Sequence, residues 1–330
     1  MTTEAQAKQS VRTPALGRIS KAAPYAMLAL FVIELVAFSI LAPGTFATAT
    51  NFNAIASNSA ILGLVTLALL VPLIAGEIDA SLPAALTVTS LTAASLMSVY
   101  SWPFLPAVLA ALVVAVAIGL ANGIAVVKLN VPSLITTLGT FTILLAVISG
   151  LGGGRVIVEG LPVETLKALS EPRPLGLPLP LWYLAVVASC VWFLTEHTPV
   201  GRYWSAIGSS PAAARMAGLR TDRLRLLAFA TGGLLAGIAG IVQLVKSQAG
   251  SPNIGADLLF PSLTAAFLSA AAFRLGAYNV RGALLSIALI QFGITGLILM
   301  GTPYWTDQLF TGTALILSLV IVRLMRRWTI

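Results

Sequence analysis

Acidic residues inside or beside apolar segments are the first candidates for chemistry in this chain. Glu77 and Asp79 lie in the sequence GEIDAS between two apolar runs, and Glu34 lies inside another. The run at 60–75 predicts a helix of about 16 residues, which rises roughly 24 Å and falls short of the roughly 30 Å hydrocarbon core. Two interpretations are open. Gly76 ends one helix and Asp79 N-caps the next at the inner surface, or the two acids face a cavity inside the membrane.

Hydroxyl and amide side chains on apolar segments form a second candidate group. Their spacing places pairs of them on one helical face or one turn apart. Such residues usually bond back to their own helix or join two helices. Alternatively they line a path for a polar solute, to which hydroxyls offer weak and exchangeable hydrogen bonds. The predicted pathway residues, acids included, are Glu77, Asp79, Ser81, Thr136, Thr137, Thr140, Gln291 and Thr295.

Residue types needed for metal or nucleotide chemistry are scarce. The single Cys190 allows no disulfide and no thiolate cluster, and His197 is the only histidine. No G-x-x-x-x-G-K-[ST] pattern occurs, so the chain itself is not expected to hydrolyse ATP. We therefore predict that the chain is not an enzyme, needs no metal or cofactor of its own, and receives energy from a partner.

The elements that position these residues are predicted to be membrane-spanning helices. Of the 330 residues, 58% are hydrophobic and 9% are charged, whereas a soluble domain carries roughly a quarter charged residues. The sequence thus predicts an all-α, polytopic transmembrane helix bundle with about ten spans, bounded by Gly, Pro or charged residues. The apolar blocks fall at about 23–42, 60–75, 80–99, 103–127, 132–151, 177–195, 226–247, 258–273, 282–300 and 308–322.

Basic residues predict the orientation of the bundle. If both termini are cytoplasmic, only Arg155, Lys167, Arg173 and Lys246 of the 19 Lys and Arg residues fall on the outer side. The positive-inside rule favours this arrangement. Residues 1–22 are then a cytoplasmic tail and 23–330 the transmembrane domain. The net charge of +8 reflects topology rather than nucleic-acid binding, because the basic residues cluster at helix ends without interleaved aromatics.

The longest polar and basic cytoplasmic segment is 198–222. Ser210 has the position of an N-cap, Pro211 that of the first helical residue, and Gly218 that of a helix stop. So short a helix is marginal alone in water and needs a surface to pack against, which suits insertion into a cleft on another protein. The alternative is an ordinary loop whose arginines only fix topology.

Three motifs resemble one family of transport proteins. The stretch GRYWSAIGSSPAAARMAGL resembles the cytoplasmic coupling segment of permease subunits of ribose/galactose-type bacterial ABC sugar importers. GEIDAS is similar to that family's Gly-Gly-Ile-Asp-Leu-Ser, and GLANGIAVVKLNVPSLITTLGT to its Asn-Gly…Pro…Thr-Leu-x-Thr stretch. The likeness implies that the residues coupling the chain to an ATPase are Arg202, Gly208, Ser210, Pro211, Ala213, Ala214, Arg215 and Gly218.

The same resemblance implies an assembly in the bacterial inner membrane. A second permease subunit, identical or different, would pair with this chain. Two cytoplasmic ATP-binding subunits would hold ATP and Mg, and a periplasmic or lipid-anchored binding protein would deliver a sugar-like molecule. Departures from the family pattern at Ser81–Pro83, Ser269–Ala272 and Ile294-Thr295 leave the sugar open. The alternative function is an ion-gradient-driven secondary transporter that uses the acids Glu77, Asp79 and Glu34.

Overall fold

The computed structural model describes residues 14–328, with side chains for 25–151 and 153–320. Within this part the chain is helical, with one isolated bridge between Ile157 and Gly250. The α-helices are α1 (Pro14–Leu41), α2 (Ala49–Ile74), α3 (Leu82–Ser98), α4 (Phe104–Lys128), α5 (Ser133–Gly152), α6 (Val163–Ser170), α7 (Leu179–His197), α8 (Pro199–Ser209), α9 (Pro211–Met216), α10 (Thr221–Ser247), α11 (Ile254–Leu268), α12 (Val280–Leu299) and α13 (Trp305–Trp328).

The predicted helical membrane bundle is confirmed, and each predicted apolar block falls on one helix. Seven helices within the described residues are long and apolar enough to cross a membrane, fewer than the ten blocks, and Tyr25–Leu41 and Leu82–Ser98 are shorter apolar helices. The predicted tail at 1–22 lies partly outside the described residues, because the structure begins at residue 14. Residues 14–22 already belong to α1.

Helix α2 is longer than the apolar run at 60–75 predicts. It begins at Ala49, where the Oγ1 of Thr48 accepts a hydrogen bond from the backbone N of Asn51 at 3.2 Å. A helix of 26 residues rises about 39 Å, which is enough to cross a bilayer. The expectation of a short span is therefore wrong, and the depth of Glu77 and Asp79 in the membrane stays a prediction.

The centre of the bundle is formed by α2, α3, α4 and α10, which pack against one another. Backbone contact between α4 and α10 depends on glycine: a Cβ on Gly119 would overlap the carbonyl oxygen of Phe229, and a Cβ on Gly233 would overlap that of Ala115. Small residues permit such close approach between membrane helices. Most of α2 and α10 is buried inside the chain, whereas α4, α5 and α7 expose most of their apolar surface.

The connection between α5 and α7 contains a helix that the sequence pattern did not predict. Helix α6 buries Leu166 completely, and the hydroxyl of Tyr183 on α7 donates to the carbonyl oxygen of Leu169 at 2.8 Å. These contacts hold α6 against the bundle near the start of α7. At its other end, α7 leads through Thr198 into α8 and α9.

Candidate functional site

The predicted capping of the short helix α9 is confirmed. The Oγ of Ser210 accepts a hydrogen bond from the backbone N of Ala213 at 3.3 Å, and Pro211 is the first helical residue. The helix ends at Met216, and Gly218 has a φ of +81°, a left-handed conformation that glycine adopts without a Cβ penalty. Local residue types thus define both ends of this helix.

Helix α8 precedes α9 and was not predicted. Thr198 and Pro199 begin it as Ser210 and Pro211 begin α9, and the Thr198 Oγ1 accepts from the backbone N of Gly201 at 3.4 Å. Trp204 is completely buried, and its Nε1 donates to the carbonyl oxygen of Leu224 on α10 at 2.7 Å. Helix α8 is therefore fixed to the first turn of α10.

The last turn of α8 touches the end of α2 through two glycines. A Cβ on Gly208 would overlap the carbonyl oxygen of Ile74, and a Cβ on Gly76 would lie 3.1 Å from the Cα of Gly208. Gly76 also has a φ of +87°, where L side chains are strained. Helix α8 and the end of α2 therefore meet backbone to backbone at this point.

The surface of α8 and α9 that turns away from the bundle is basic and exposed. Arg202, Ala213 and Arg215 are exposed, whereas Ala214 is buried. The Nε of Arg215 donates to the Oγ1 of Thr221 at 3.1 Å, and Arg215 lines a groove of about 620 Å³. The remaining residues that line this groove are Val127, Lys128, Asn130, Leu219, Arg220, Thr221, Asp222 and Arg223.

Residues Gly76–Ser81, the α2–α3 turn, carry two of the predicted acids. Glu77 forms an ion pair with Arg225 on α10, with Nη2 at 2.6 Å and Nε at 2.8 Å from its Oε1. The two side chains are 11% and 16% exposed, so the pair is largely shielded from water. The turn that touches α8 through Gly76 is thus also tied to α10.

Asp79 is completely buried in the α2–α3 turn, outside both helices. Its Oδ1 accepts from the backbone N of Ser81 at 3.1 Å, the Oγ of Ser81 at 2.6 Å and the Nδ2 of Asn122 at 3.2 Å. Burial raises the pKa of Asp79 above its ordinary value, and the hydrogen bonds from Ser81 and Asn122 oppose this shift. The N-cap of α3 is Ser81 rather than Asp79. The prediction of Asp79 as N-cap is wrong because Asp79 lies two residues earlier and accepts from Ser81.

Helices α4 and α5 also bind the turn. Asn122 on α4 donates to the Oγ of Ser81 at 2.7 Å and accepts from the Oγ1 of Thr140 on α5 at 2.6 Å. The Oγ1 of Thr137 accepts from the backbone N of Ala80 at 3.0 Å and lies 3.2 Å from the carbonyl oxygen of Ile78. The α2–α3 turn is thereby hydrogen-bonded to two further helices.

The predicted pathway residues divide into two groups. One group forms a connected set at the α2–α3 turn: Glu77, Asp79, Ser81, Thr137 and Thr140. The others do not join it. The Thr136 hydroxyl bonds to the carbonyl oxygen of Pro132 in its own chain segment, and Gln291 and Thr295 lie on α12 without side-chain hydrogen bonds among the described residues.

Two further polar residues lie apart from the turn. Both carboxylate oxygens of Glu34 on α1 are buried without a hydrogen-bond partner in the described part of the chain, and Oε1 lies near Gly293. His197 ends α7, stacked on Phe193. Within the described residues, no group of three or more His, Cys, Asp or Glu side chains is placed to hold a metal ion.

Pairing across the fold identifies residues that the sequence pattern did not single out. By sequence Arg225 is one of the basic residues that indicate topology, yet it pairs with Glu77 from 148 residues away. Asn122 was noted only as part of a family motif, yet it connects Asp79, Ser81 and Thr140. Gly76 was noted only as a helix end. No local sequence signal predicts the first two of these contacts, because each joins distant segments.

Comparisons with a family model and with individual proteins all identify transport permeases. Residues 51–319 match the family described as branched-chain amino acid transport system / permease component. The chain is 26% identical over 297 residues to the ribose import permease protein RbsC of Escherichia coli K12, covering 89% of this chain and 92% of that protein. It is 28% identical over 313 residues to the autoinducer 2 import system permease protein LsrD of Klebsiella pneumoniae, covering 92% of each.

A third relative is the L-arabinose transport system permease protein AraH of Escherichia coli K12. It is 29% identical over 288 residues, which cover 84% of this chain and 80% of that protein. No solved structure matches the chain.

Proposed function

Because the chain belongs to the family of branched-chain amino acid transport system permease components, we propose that it moves a monosaccharide or related small polar solute across the membrane. It is a multi-pass protein of the inner membrane. The names of its relatives give ribose and autoinducer 2 as imported solutes and L-arabinose as a transported one. These three solutes are all small and polar, which supports a small polar solute for this chain. The specific sugar depends on side chains in which this chain departs from the family pattern.

The transport subunit works with separate ATP-binding subunits. The chain has no phosphate-binding loop of its own, so ATP and Mg are held by two cytoplasmic partners. A second permease subunit completes the pathway, and a solute-binding protein delivers the solute from outside. The coupling residues predicted from the sequence lie on α8 and α9 or at their ends. Their exposed basic surface supports contact with an acidic cleft on the ATPase.

The observation that carries the mechanism is the connection between α8 and the α2–α3 turn. Gly208 on α8 meets Gly76 without an intervening side chain. Glu77 ties the same turn to α10, and Asn122 ties it to α4 and α5. A displacement of α8 and α9 by the ATPase is therefore delivered at one point to α2 and α3, which the turn joins, and to α4, α5 and α10. Close-packed interiors transmit such displacements because they deform little.

The set of turn residues has a different role from the one predicted for the pathway. Glu77 and Asp79 already have partners inside the chain, which leaves them no free oxygen-rich site for a driving ion. We assign Glu77, Asp79, Ser81, Thr137 and Thr140 to transmission between the ATPase and the spans. Thr136, Gln291 and Thr295 remain candidates for contact with the solute. At Glu77 and Asp79 nothing favours an ion-driven secondary transporter over the ATP-driven importer.

Arg215→Glu tests this function in membrane vesicles that contain the chain with its ATPase partner. Reversal of the charge at the proposed interface is expected to abolish both solute uptake and solute-stimulated ATP hydrolysis, while the amount of inserted chain stays the same. Arg155→Glu makes the same change at an exposed position on the predicted outer side and is expected to leave coupling intact. Normal uptake and ATP hydrolysis in Arg215→Glu would contradict the proposal.

A further inference from the structure

A groove of about 590 Å³ runs between α7 and α12, and its lining includes no residue of the α2–α3 turn, α8 or α9. Most of its lining is apolar and comes from two membrane-spanning helices. The lining residues are Leu181, Leu184, Ala185, Ala188, Ser189, Trp192, Val280, Arg281 and Leu284. They extend from the first turn of α7 to its last turns, so the groove follows the span along much of its length.

The surface beside this groove faces outward from the bundle. Val186 and Phe193 on α7 are 62% and 59% exposed, and Leu284 on α12 is 36% exposed. Large apolar side chains this exposed on a membrane-spanning helix are suited to contact with hydrocarbon. The groove is therefore accessible to a long apolar chain that lies parallel to the helices.

One end of the groove is basic. The Oε2 of Glu196, at the end of α7, lies 3.0 Å from the Nη2 of Arg274 and 3.5 Å from the Nη2 of Arg281. Two guanidinium groups thus share one carboxylate oxygen, which leaves one positive charge uncompensated within this triad. The side chains of Arg274 and Arg281 are 58% and 59% exposed, so both retain free N–H donors.

Trp192 joins the apolar and basic parts of the groove. The guanidinium of Arg281 lies 5.8 Å from the centroid of the Trp192 ring, a distance typical of cation–π contact. The ring lines the groove and supports Arg281 at its end. Tryptophan is enriched where hydrocarbon meets headgroups, so this position marks the boundary between acyl chains and the polar layer. By the distribution of basic residues, this end lies at the cytoplasmic leaflet.

We propose that the α7–α12 groove binds one anionic phospholipid of the inner leaflet. An acyl chain occupies the apolar length of the groove, and the phosphate accepts hydrogen bonds from Arg281 and Arg274. Charge complementarity selects this occupant, because basic pockets between membrane helices on the cytoplasmic side attract anionic headgroups. Arginine also presents the planar donors that phosphate oxygens match. A zwitterionic lipid would add no net charge to balance the uncompensated arginine.

The test measures lipid retained by the purified full-length chain. The chain is placed in bilayer nanodiscs with equal amounts of phosphatidylglycerol and phosphatidylcholine, washed in mild detergent, and the bound lipid is counted by native mass spectrometry. We expect one retained lipid, enriched in phosphatidylglycerol. Arg281→Gln is expected to lower that retention about fivefold, and Arg274→Gln adds a further loss. Lys128→Gln removes an exposed basic residue at the end of α4 and is expected to change nothing.

A second variant separates the groove from the charge. Leu284→Trp fills the apolar part and is expected to lower retention of both lipids while Arg281 stays in place. Equal retention of the two lipids by the unaltered chain would overturn the proposal, as would undiminished retention in Arg274→Gln/Arg281→Gln. Disulfide cross-linking of two copies through Leu284→Cys in native membranes would also overturn it, because a second subunit would then cover the groove. If the arginine variants fail to fold, undiminished lipid retention in Leu284→Trp would overturn the proposal.

Discussion

The guanidinium of Arg225 lies 2.6 Å from the carboxylate of Glu77, and this ion pair joins the start of α10 to the α2–α3 turn. The two residues are 148 positions apart in the chain. The turn touches α8 through Gly76, one residue before Glu77, and α8 is fixed to α10 through Trp204. The ion pair therefore completes a closed set of contacts among α8, α10 and the turn.

Loss of this pair should uncouple the chain from its ATPase. Glu77→Gln leaves Arg225 largely buried without a counter-charge, which we expect to cost about 2 kcal/mol of stability and most of the uptake. Glu77→Arg with Arg225→Glu reverses the pair and should recover part of the uptake that either single change loses. Arg155→Gln is the control, since Arg155 is exposed and forms no ion pair in the described part of the chain. Solute uptake and thermal unfolding in detergent measure both effects.

A single methyl group at Gly208 should separate α8 from α2. In Gly208→Ala the new Cβ meets the carbonyl oxygen of Ile74, so α8 must move outward and the contact with Gly76 is lost. We expect uptake and stimulated ATP hydrolysis to fall together, with the chain still inserted. Gly139→Ala adds the same methyl on α5, where nothing lies within 4 Å, and should behave as the unaltered chain. Normal uptake by Gly208→Ala would show that this close contact is dispensable.

The threonines of α5 should differ sharply in their effect on stability. Thr140→Val removes the hydroxyl that donates to Asn122, and the unsatisfied amide oxygen should cost about 1–3 kcal/mol. Thr136→Val removes a hydroxyl that bonds only to the Pro132 carbonyl oxygen, so the expected cost is near zero. Thermal unfolding of the two variants in the same detergent compares them directly. Equal unfolding temperatures would refute a structural role for the Asn122–Thr140 bond.

Cysteine labelling tests the predicted orientation of α8. In a Cys190→Ser background, Ser209→Cys should resist a membrane-impermeant maleimide in intact cells and react once the membrane is opened. Leu175→Cys, in the predicted outer connection, should react in intact cells, because Leu175 is 88% exposed. The reverse pattern would place α8 and α9 outside and remove the basis for contact with a cytoplasmic ATPase.

Local signals predicted the parts of the fold that depend on a few neighbouring residues. Ser210, Pro211 and Gly218 predicted both ends of α9, because N-capping and left-handed termination involve only adjacent positions. The same reasoning applied to Thr198 and Pro199 would have found α8. The ten apolar blocks predicted the long helices for a similar reason, since hydrophobic burial in a bilayer follows segment length.

Contacts between distant segments account for what the sequence did not predict. One difference is local instead: α2 begins earlier than the apolar run predicts, because its first turns carry polar residues such as Asn51, whose side chain donates to the carbonyl oxygen of Phe46 five residues before it. Glu77 and Asp79 were considered as pathway or surface residues, yet their partners Arg225 and Asn122 come from other helices. The residue types were visible in the sequence, whereas their pairing depends on how the helices pack.

Direct backbone contact between α4 and α10 at Gly119 and Gly233 limits how this transporter can diversify. A larger residue at either glycine would force the two central helices apart and disturb the attachment of Asn122 and Arg225 that they carry. New solute preferences are therefore expected to arise through substitutions elsewhere along the spans. Variants that still transport solute are expected to keep glycine at both positions of the α4–α10 contact.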